Sequence, residues 1–87
     1  MTLERYSEPV EAAAYRTVVE GIHDAAEREA TFVSVDVGRE EGRVIVTLRD
    51  DGAARTSPLV HLADRIGALG GSLEVGETTL RAVVPCA

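Results

Sequence analysis

A single apolar stripe of helical period, followed at once by a run of period two, limits what this chain can become. Val10, Ala14, Val18, Ile22, Ala25 and Ala26 recur at helical spacing, and Glu11, Arg16, Glu20, Asp24 and Glu27 fall between them. This is the pattern of one long amphipathic helix over residues 8–29. Ser7-Glu8-Pro9 opens it, because Ser caps a helix and Pro is tolerated in the first turn. At Thr31 the period changes. Val33, Val35 and Val37 alternate with Phe32, Ser34 and Asp36, and β-branched alternation of this kind predicts a strand over 31–37. Gly38-Arg39-Glu40-Glu41-Gly42 reads as a turn bracketed by glycines. Residues 43–49 then alternate again, with Val44, Val46 and Leu48 on one face, so the two strands are expected to form an antiparallel hairpin.

The second half repeats the order of elements without repeating the residues. Residues 50–56 form a loop. Ser57-Pro58 carries the same helix-start signature, and Leu59, Leu62, Ala63, Ile66 and Leu69 form an apolar stripe. Gly70-Gly71 stops that helix, since glycine readily takes the left-handed conformation a helix end requires. Residues 72–75 and 78–84 read as short strands around a Gly76-Glu77 turn, and Pro85 closes the last one. Two helices with one apolar stripe each are expected to cover one face of a four-stranded, largely antiparallel sheet. The fold class is therefore an α/β two-layer sandwich of order αββαββ, a single domain over 1–87 with 1–7 as an extension or linker. Phe32, Ile45 and Val83 are apolar on the other face and are expected to meet water or a partner.

Composition narrows the function. Aromatic residues make up only 3% of the 87, so the core must be built from Val, Leu, Ile and Ala. All nine positive charges are Arg, and the formal charge is -6, which argues against a nucleic-acid backbone as partner but not against a nucleotide. Cys86 is the single cysteine, so no intramolecular disulfide or cysteine zinc site is possible. No leader pattern opens the chain and no apolar run approaches membrane-spanning length. These features lead us to expect a cytoplasmic domain, alone or as a piece of a membrane-attached protein.

Two acidic pairs are the candidate chemistry. Glu20 and Asp24 lie four apart on one helical ridge, and Asp50 and Asp51 end the second strand. If the helix packs on the sheet, the pairs converge on one cleft, where carboxylates hold a metal ion or position a water. Taken alone, the spacing favours solvated helix surface and an ordinary Asp-Asp-Gly turn.

The motifs, taken in order, resemble the ATP-binding domain of sensor histidine kinases of the nitrate-sensor type, within the gyrase, Hsp90, histidine-kinase and MutL ATPase superfamily. Residues 10–20 look like its Ala-Tyr-Arg-like opening, and Glu20-Gly21-Ile22-His23-Asp24-Ala25 is similar to its Glu-Ala-Leu-Thr-Asn-Ala box. Asp50-Asp51-Gly52-Ala53-Ala54 resembles its Asp-x-Gly-x-Gly box. Residues 64–75 match its Glu-Arg-Val-x-Ala-Leu-Gly-Gly-x-Leu-x-Val stretch, and 78–85 look like its closing strand. The resemblance implies a reduced Bergerat fold and phosphoryl transfer from ATP to a histidine, driven by positioning and electrostatics. It implies that Glu20 activates or orients the attacking group, Asp24 holds magnesium, Asp50 accepts from the adenine amino group, Gly52 lets the backbone approach the base, and Thr78 contributes to the nucleotide site. The implied partners are a response regulator or a kinase dimerisation domain.

The departures fall on the phosphate side. Asp24 stands where the family has Asn, Ala54 replaces the second glycine, and Pro58-Leu59-Val60-His61-Leu62 replaces a glycine-bearing segment. Gly76-Glu77-Thr78 puts an acid at a phosphate-facing glycine, and the lid loop is short. Losing glycines removes the concave array of backbone N–H groups that holds phosphates. The expectation is a domain with weakened or lost ATP binding; the alternative is a catalytically inactive pseudo-ATPase that acts as a protein-interaction module. Ile22-His23-Asp24 also resembles the core of a phosphoacceptor helix, but a strand follows it where that arrangement needs a second helix.

Overall fold

A computed structural model describes residues 8–85, so the expected linker over 1–7 and Cys86 lie outside the described residues. The chain runs α1 (Glu8–Glu27), β1 (Val33–Glu40), β2 (Arg43–Asp50), α2 (Val60–Ala68), β3 (Ser72–Val75) and β4 (Thr79–Pro85). The four strands form one antiparallel sheet in the order β1-β2-β4-β3, with α1 and α2 packed on one face. The expected two-layer α/β sandwich of order αββαββ is the observed one.

Register explains the core. Val44, Val46 and Leu48 of β2 sit opposite Val84, Ala82 and Leu80 of β4, and all six are buried beneath the helices. From α1, Val10, Ala13, Thr17, Gly21 and Ala25 face them. These are small residues at three- and four-residue spacing, so the helix lies close to the sheet. A β-carbon at Gly21 would stand 2.6 Å from Leu48 Cδ2. Thr17 is the one buried hydroxyl in this row, and it donates to the Ala13 carbonyl one turn back at 2.8 Å. Leu62 and Ile66 bring α2 into the same core.

Three boundaries differ from expectation. The β1–β2 turn is tighter than the glycine-bracketed segment suggests. Glu41 and Gly42 both take positive φ (49° and 76°), and β1 continues through Gly38, Arg39 and Glu40. A two-residue turn with positive φ at both positions matches the twist of the flanking strands, so the hairpin closes without a wider loop. The second helix starts at Val60, not at Ser57-Pro58. The Ser57 hydroxyl accepts from the Leu59 N–H at 3.2 Å, and Leu59 takes a left-handed conformation (φ 51°, ψ 51°) with no side-chain cap. Ser57 therefore closes a local turn instead of capping a helix. α1 ends at Glu27, two residues short of the expected end. At the other end of α2 the expectation holds: Gly70 has φ 77° at the stop.

On the outer face, Ile45 and Val83 are cross-strand partners and half-buried, while Phe32 is exposed. Among the described residues, no helix is long and apolar enough to cross a membrane.

Candidate functional site

The end of β2 is where the chain's charges meet. Asp50 is the last residue of β2, and its side chain is only 3% exposed. Arg28 directly follows the last residue of α1, and its guanidinium grips Asp50 in a fork. Nη1 donates to Oδ1 at 2.9 Å and Nη2 to Oδ2 at 2.5 Å. The Arg28 Nε donates to Asp24 Oδ2 at 2.9 Å, which fixes its stem to the same helix. Two parallel charge-assisted bonds to one carboxylate are the strongest arrangement an arginine offers.

A second guanidinium closes the cluster. Arg55 lies in the loop between β2 and α2, yet its side chain is 2% exposed. Its Nε donates to Asp24 Oδ2 at 2.8 Å, and its Nη1 donates to the carbonyls of Gly76 at 2.5 Å and Thr79 at 2.8 Å. Its Nη2 stands 3.9 Å from Asp50 Oδ2. Two arginines thus face two aspartates, and the Nη1 atom of each also donates to backbone carbonyls. Arg28 Nη1 also reaches Ala53 O at 2.7 Å and Glu77 O at 3.3 Å. Among the described residues no buried side-chain nitrogen or oxygen lacks a partner. This satisfaction is what makes the burial of four charges tolerable.

The electrostatics follow from these contacts. The Arg28 hydrogen bonds hold the Asp50 carboxyl below the usual carboxylate range, against burial, which pushes the other way. The Gly52 N–H, 2.9 Å from Asp50 Oδ1, assists. Reciprocally, the bonds to Asp50 and Asp24 raise Arg28 above the ordinary guanidinium value. Asp51 turns the other way. It accepts from the Thr31 hydroxyl, from Thr31 N at 2.7 Å and from Phe32 N at 3.1 Å, stapling the loop after α1. The Thr31 hydroxyl bond is the main cause of its lowered pKa.

Each residue assigned by resemblance has a definite place. Asp24 and Asp50 are brought together, but by the two arginines between them. Gly52 makes a close backbone approach, to the residue that follows α1. A β-carbon there would stand 2.9 Å from the Arg28 carbonyl, and Ala53 N donates to that same carbonyl at 2.9 Å. The Thr78 carbonyl accepts from Asp50 N at 3.0 Å, so Thr78 anchors the β3–β4 turn to the end of β2. Glu20 is not part of the cluster. It is half-exposed, 3.7 Å from Arg16 one turn back, and faces a groove instead.

That groove, of about 480 Å³, runs between α1 and the start of α2. Val19, Glu20, His23 and Glu27 form one wall, and Leu59, Val60 and His61 the other. His23 lies 3.6 Å from Glu27 and both are exposed. Among the described residues, no three His, Cys, Asp or Glu side chains converge to hold a metal ion. The arrangement around Asp24 offers magnesium one carboxylate, one oxygen of which already accepts from two guanidinium groups.

Arg28 and Arg55 are the residues that sequence reasoning missed. Arg28 stood four residues after Asp24, a spacing for an ion pair on one helix. Arg55 stood as a lone cation behind Gly52-Ala53-Ala54, close to two acids. Neither signal distinguishes a buried guanidinium from a solvated one. No protein-family model matches the chain, and no curated protein matches it in sequence.

Proposed function

We propose that this chain is a histidine-kinase-type ATPase domain whose nucleotide site has been filled from within, and that it acts by protein contact rather than by phosphoryl transfer. One observation carries the reading. The two acids that the resemblance assigns to adenine and magnesium, Asp50 and Asp24, are held by the guanidinium groups of Arg28 and Arg55. For a base to use Asp50 as an acceptor, it has to displace a forked arginine from a buried carboxylate. Nothing the adenine amino group supplies matches two charge-assisted bonds. The absent phosphate-loop glycines support the same conclusion. In this reading the domain is cytoplasmic, takes no cofactor, and meets a response regulator or a kinase dimerisation domain in a signalling assembly. Its charge of -6 speaks against nucleic acid.

A retained nucleotide site is the second reading, favoured by the groove beside Glu20, whose volume of about 480 Å³ is ample for a small ligand. The two separate in a thermal melt with magnesium and a non-hydrolysable ATP analogue. A ligand that binds only the folded state raises the melting temperature by mass action. We expect no rise at millimolar analogue. A rise of several degrees, or transfer of labelled phosphate from ATP to a histidine of a dimerisation domain, refutes the first reading and supports the kinase.

A further inference from the structure

We propose that β1 is a self-association edge, through which two copies of this chain pair antiparallel to form one continuous sheet. Three observations lead there. β1 is an outer strand of the sheet, eight residues long, and every residue after Val33 is exposed. It contains neither proline nor lysine, the residues that most often blunt an open edge. The opposite edge, β3, is only four residues long.

Second, the helix layer stops short of this strand. Val35 and Val37 are the partners of Leu48 and Val46, so they lie on the helix-bearing face, yet they are 41% and 53% exposed. α2 packs over β3 and β4, and α1 mainly over β2 and β4. On α1, Glu20, Asp24 and Glu27 line the groove towards α2. Val18 and Ile22 occupy the reverse flank, which faces β1, and Ile22 is 44% exposed. An apolar ledge of Ile22, Val35 and Val37 therefore runs beside an open strand.

Third, the strand is compatible with itself. A two-fold axis normal to the sheet keeps both helix layers on one side. Centred on Val37, it sets Val37 against Val37 and Asp36 against Gly38, with no like charges opposed. Centred on Asp36 it would oppose two carboxylates, which is destabilising. Centred on Val35 it would shorten the ladder between copies to residues 33–37. The Val37 axis joins the two ledges, so the second copy supplies the same apolar cover that it receives, as an isologous contact must. The contact consists of one eight-residue strand edge and a ledge of three apolar side chains, a small interface by the standard of ~800 Å² per partner. The dimer is accordingly reversible, with a Kd on the order of micromolar.

Pairing at β1 rests on the proposed mode of action only in that both work by protein contact; nucleotide binding and dimerisation are read in separate measurements. Sedimentation equilibrium of the full chain, from micromolar to millimolar, should follow a monomer–dimer isotherm. Val37→Asp should raise the dimer Kd at least about ten-fold by opposing two carboxylates in place of two valines, with an unchanged melting temperature. Val37→Cys, made with Cys86→Ser, should cross-link to itself under mild oxidation, because antiparallel partners stand within disulfide reach. Val75→Cys on the opposite edge should not. A wild-type chain that stays monomeric to millimolar concentration overturns the proposal, as does a Val37→Asp dimer of unchanged Kd, or cross-linking at position 75 equal to that at 37.

Discussion

Replacing Arg55 with alanine should cost this domain a large share of its stability. The guanidinium is 2% exposed and donates to Asp24 Oδ2 at 2.8 Å and to the Gly76 and Thr79 carbonyls at 2.5 and 2.8 Å. Truncation leaves Asp24 with one remaining guanidinium partner, Arg28, and removes the side-chain donor from two carbonyls. Stripping one partner from a buried, hydrogen-bonded ion cluster costs about 3–5 kcal/mol. A domain of 87 residues has a total stability of roughly 4–13 kcal/mol. At about 4–8 °C per kcal/mol for a domain of this size, the loss appears as a fall in melting temperature of roughly 12–40 °C. Urea and thermal denaturation followed by far-ultraviolet circular dichroism measure it. Arg55→Lys should recover less than half, because an ammonium cannot serve a carboxylate and two carbonyls in the planar fork geometry. The internal control is Glu74→Ala. That residue pairs with Arg81 at 3.2 Å, but the two side chains are 70% and 43% exposed, and such pairs contribute about 0–1 kcal/mol. If Arg55→Ala costs no more than Glu74→Ala, the cluster is not a structural keystone and the argument from a filled site fails.

Other outcomes follow from the same geometry. Gly52→Ala should destabilise the domain by about 1–3 kcal/mol in the absence of any nucleotide, because the new methyl meets the Arg28 carbonyl at 2.9 Å; a neutral variant in urea melts would show that the backbone there yields freely. Gly71→Ala should be at least as harmful, since a β-carbon there collides with the Val83 carbonyl and stands 3.0 Å from Ile66 Cγ2. The folded-state pKa of Asp50 is depressed, so its stabilising contribution is present above its unfolded pKa of about 3.9 and is lost as pH falls through the lower folded value. Stability should therefore decline below about pH 4, and Asp50→Asn should flatten that decline; an unchanged acid limb in the variant would exclude Asp50 as its source. Ile66→Ala, at a position with no exposed surface, should cost about 2–5 kcal/mol in the same melts.

Periodicity carried most of the fold, and it did so where one physical effect dominated. The alternation of Val44, Val46 and Leu48 records which side chains leave water, and burial is what sets strand register. On α1 the buried row is Val10, Ala13, Thr17, Gly21 and Ala25, so of the expected stripe only Val10 and Ala25 are fully buried, Ala14 and Val18 are half-buried, and Ile22 and Ala26 are exposed; the close approach to the sheet selects the small residues beside them. Competition between local effects blurred the boundaries. Ser57-Pro58 has the chemistry of a helix start, but the Ser57 hydroxyl is used by Leu59 N–H, and the helix begins two residues beyond Pro58. The site was legible in half. The acids were visible because Asp50-Asp51-Gly52 and Glu20/Asp24 stand out in spacing. Their occupants were not, because an arginine in a sequence carries no mark of whether it will be solvated. That depends on carbonyls supplied by Gly76 and Thr79, far along the chain. Glu20 and Asp24 share a ridge and both line the groove, yet only Asp24 is bound by the two arginines.

The anchoring of the loop between β2 and α2 has a kinetic consequence. Between Asp51 and Leu59 the chain has no regular structure, yet Ala53 N is bonded to Arg28 O and Arg55 N to Glu77 O, at 2.9 and 2.8 Å. In hydrogen-exchange terms these two amides should outlast many in the regular elements beside them, opening only when α1, β2 and the β3–β4 turn come apart together. The bolt joins segments as distant in the chain as Arg28 and Glu77, so it forms after the hairpins have brought its parts within reach. Such a loop keeps its shape by a late, long-range closure rather than by its own residues, and is released all at once.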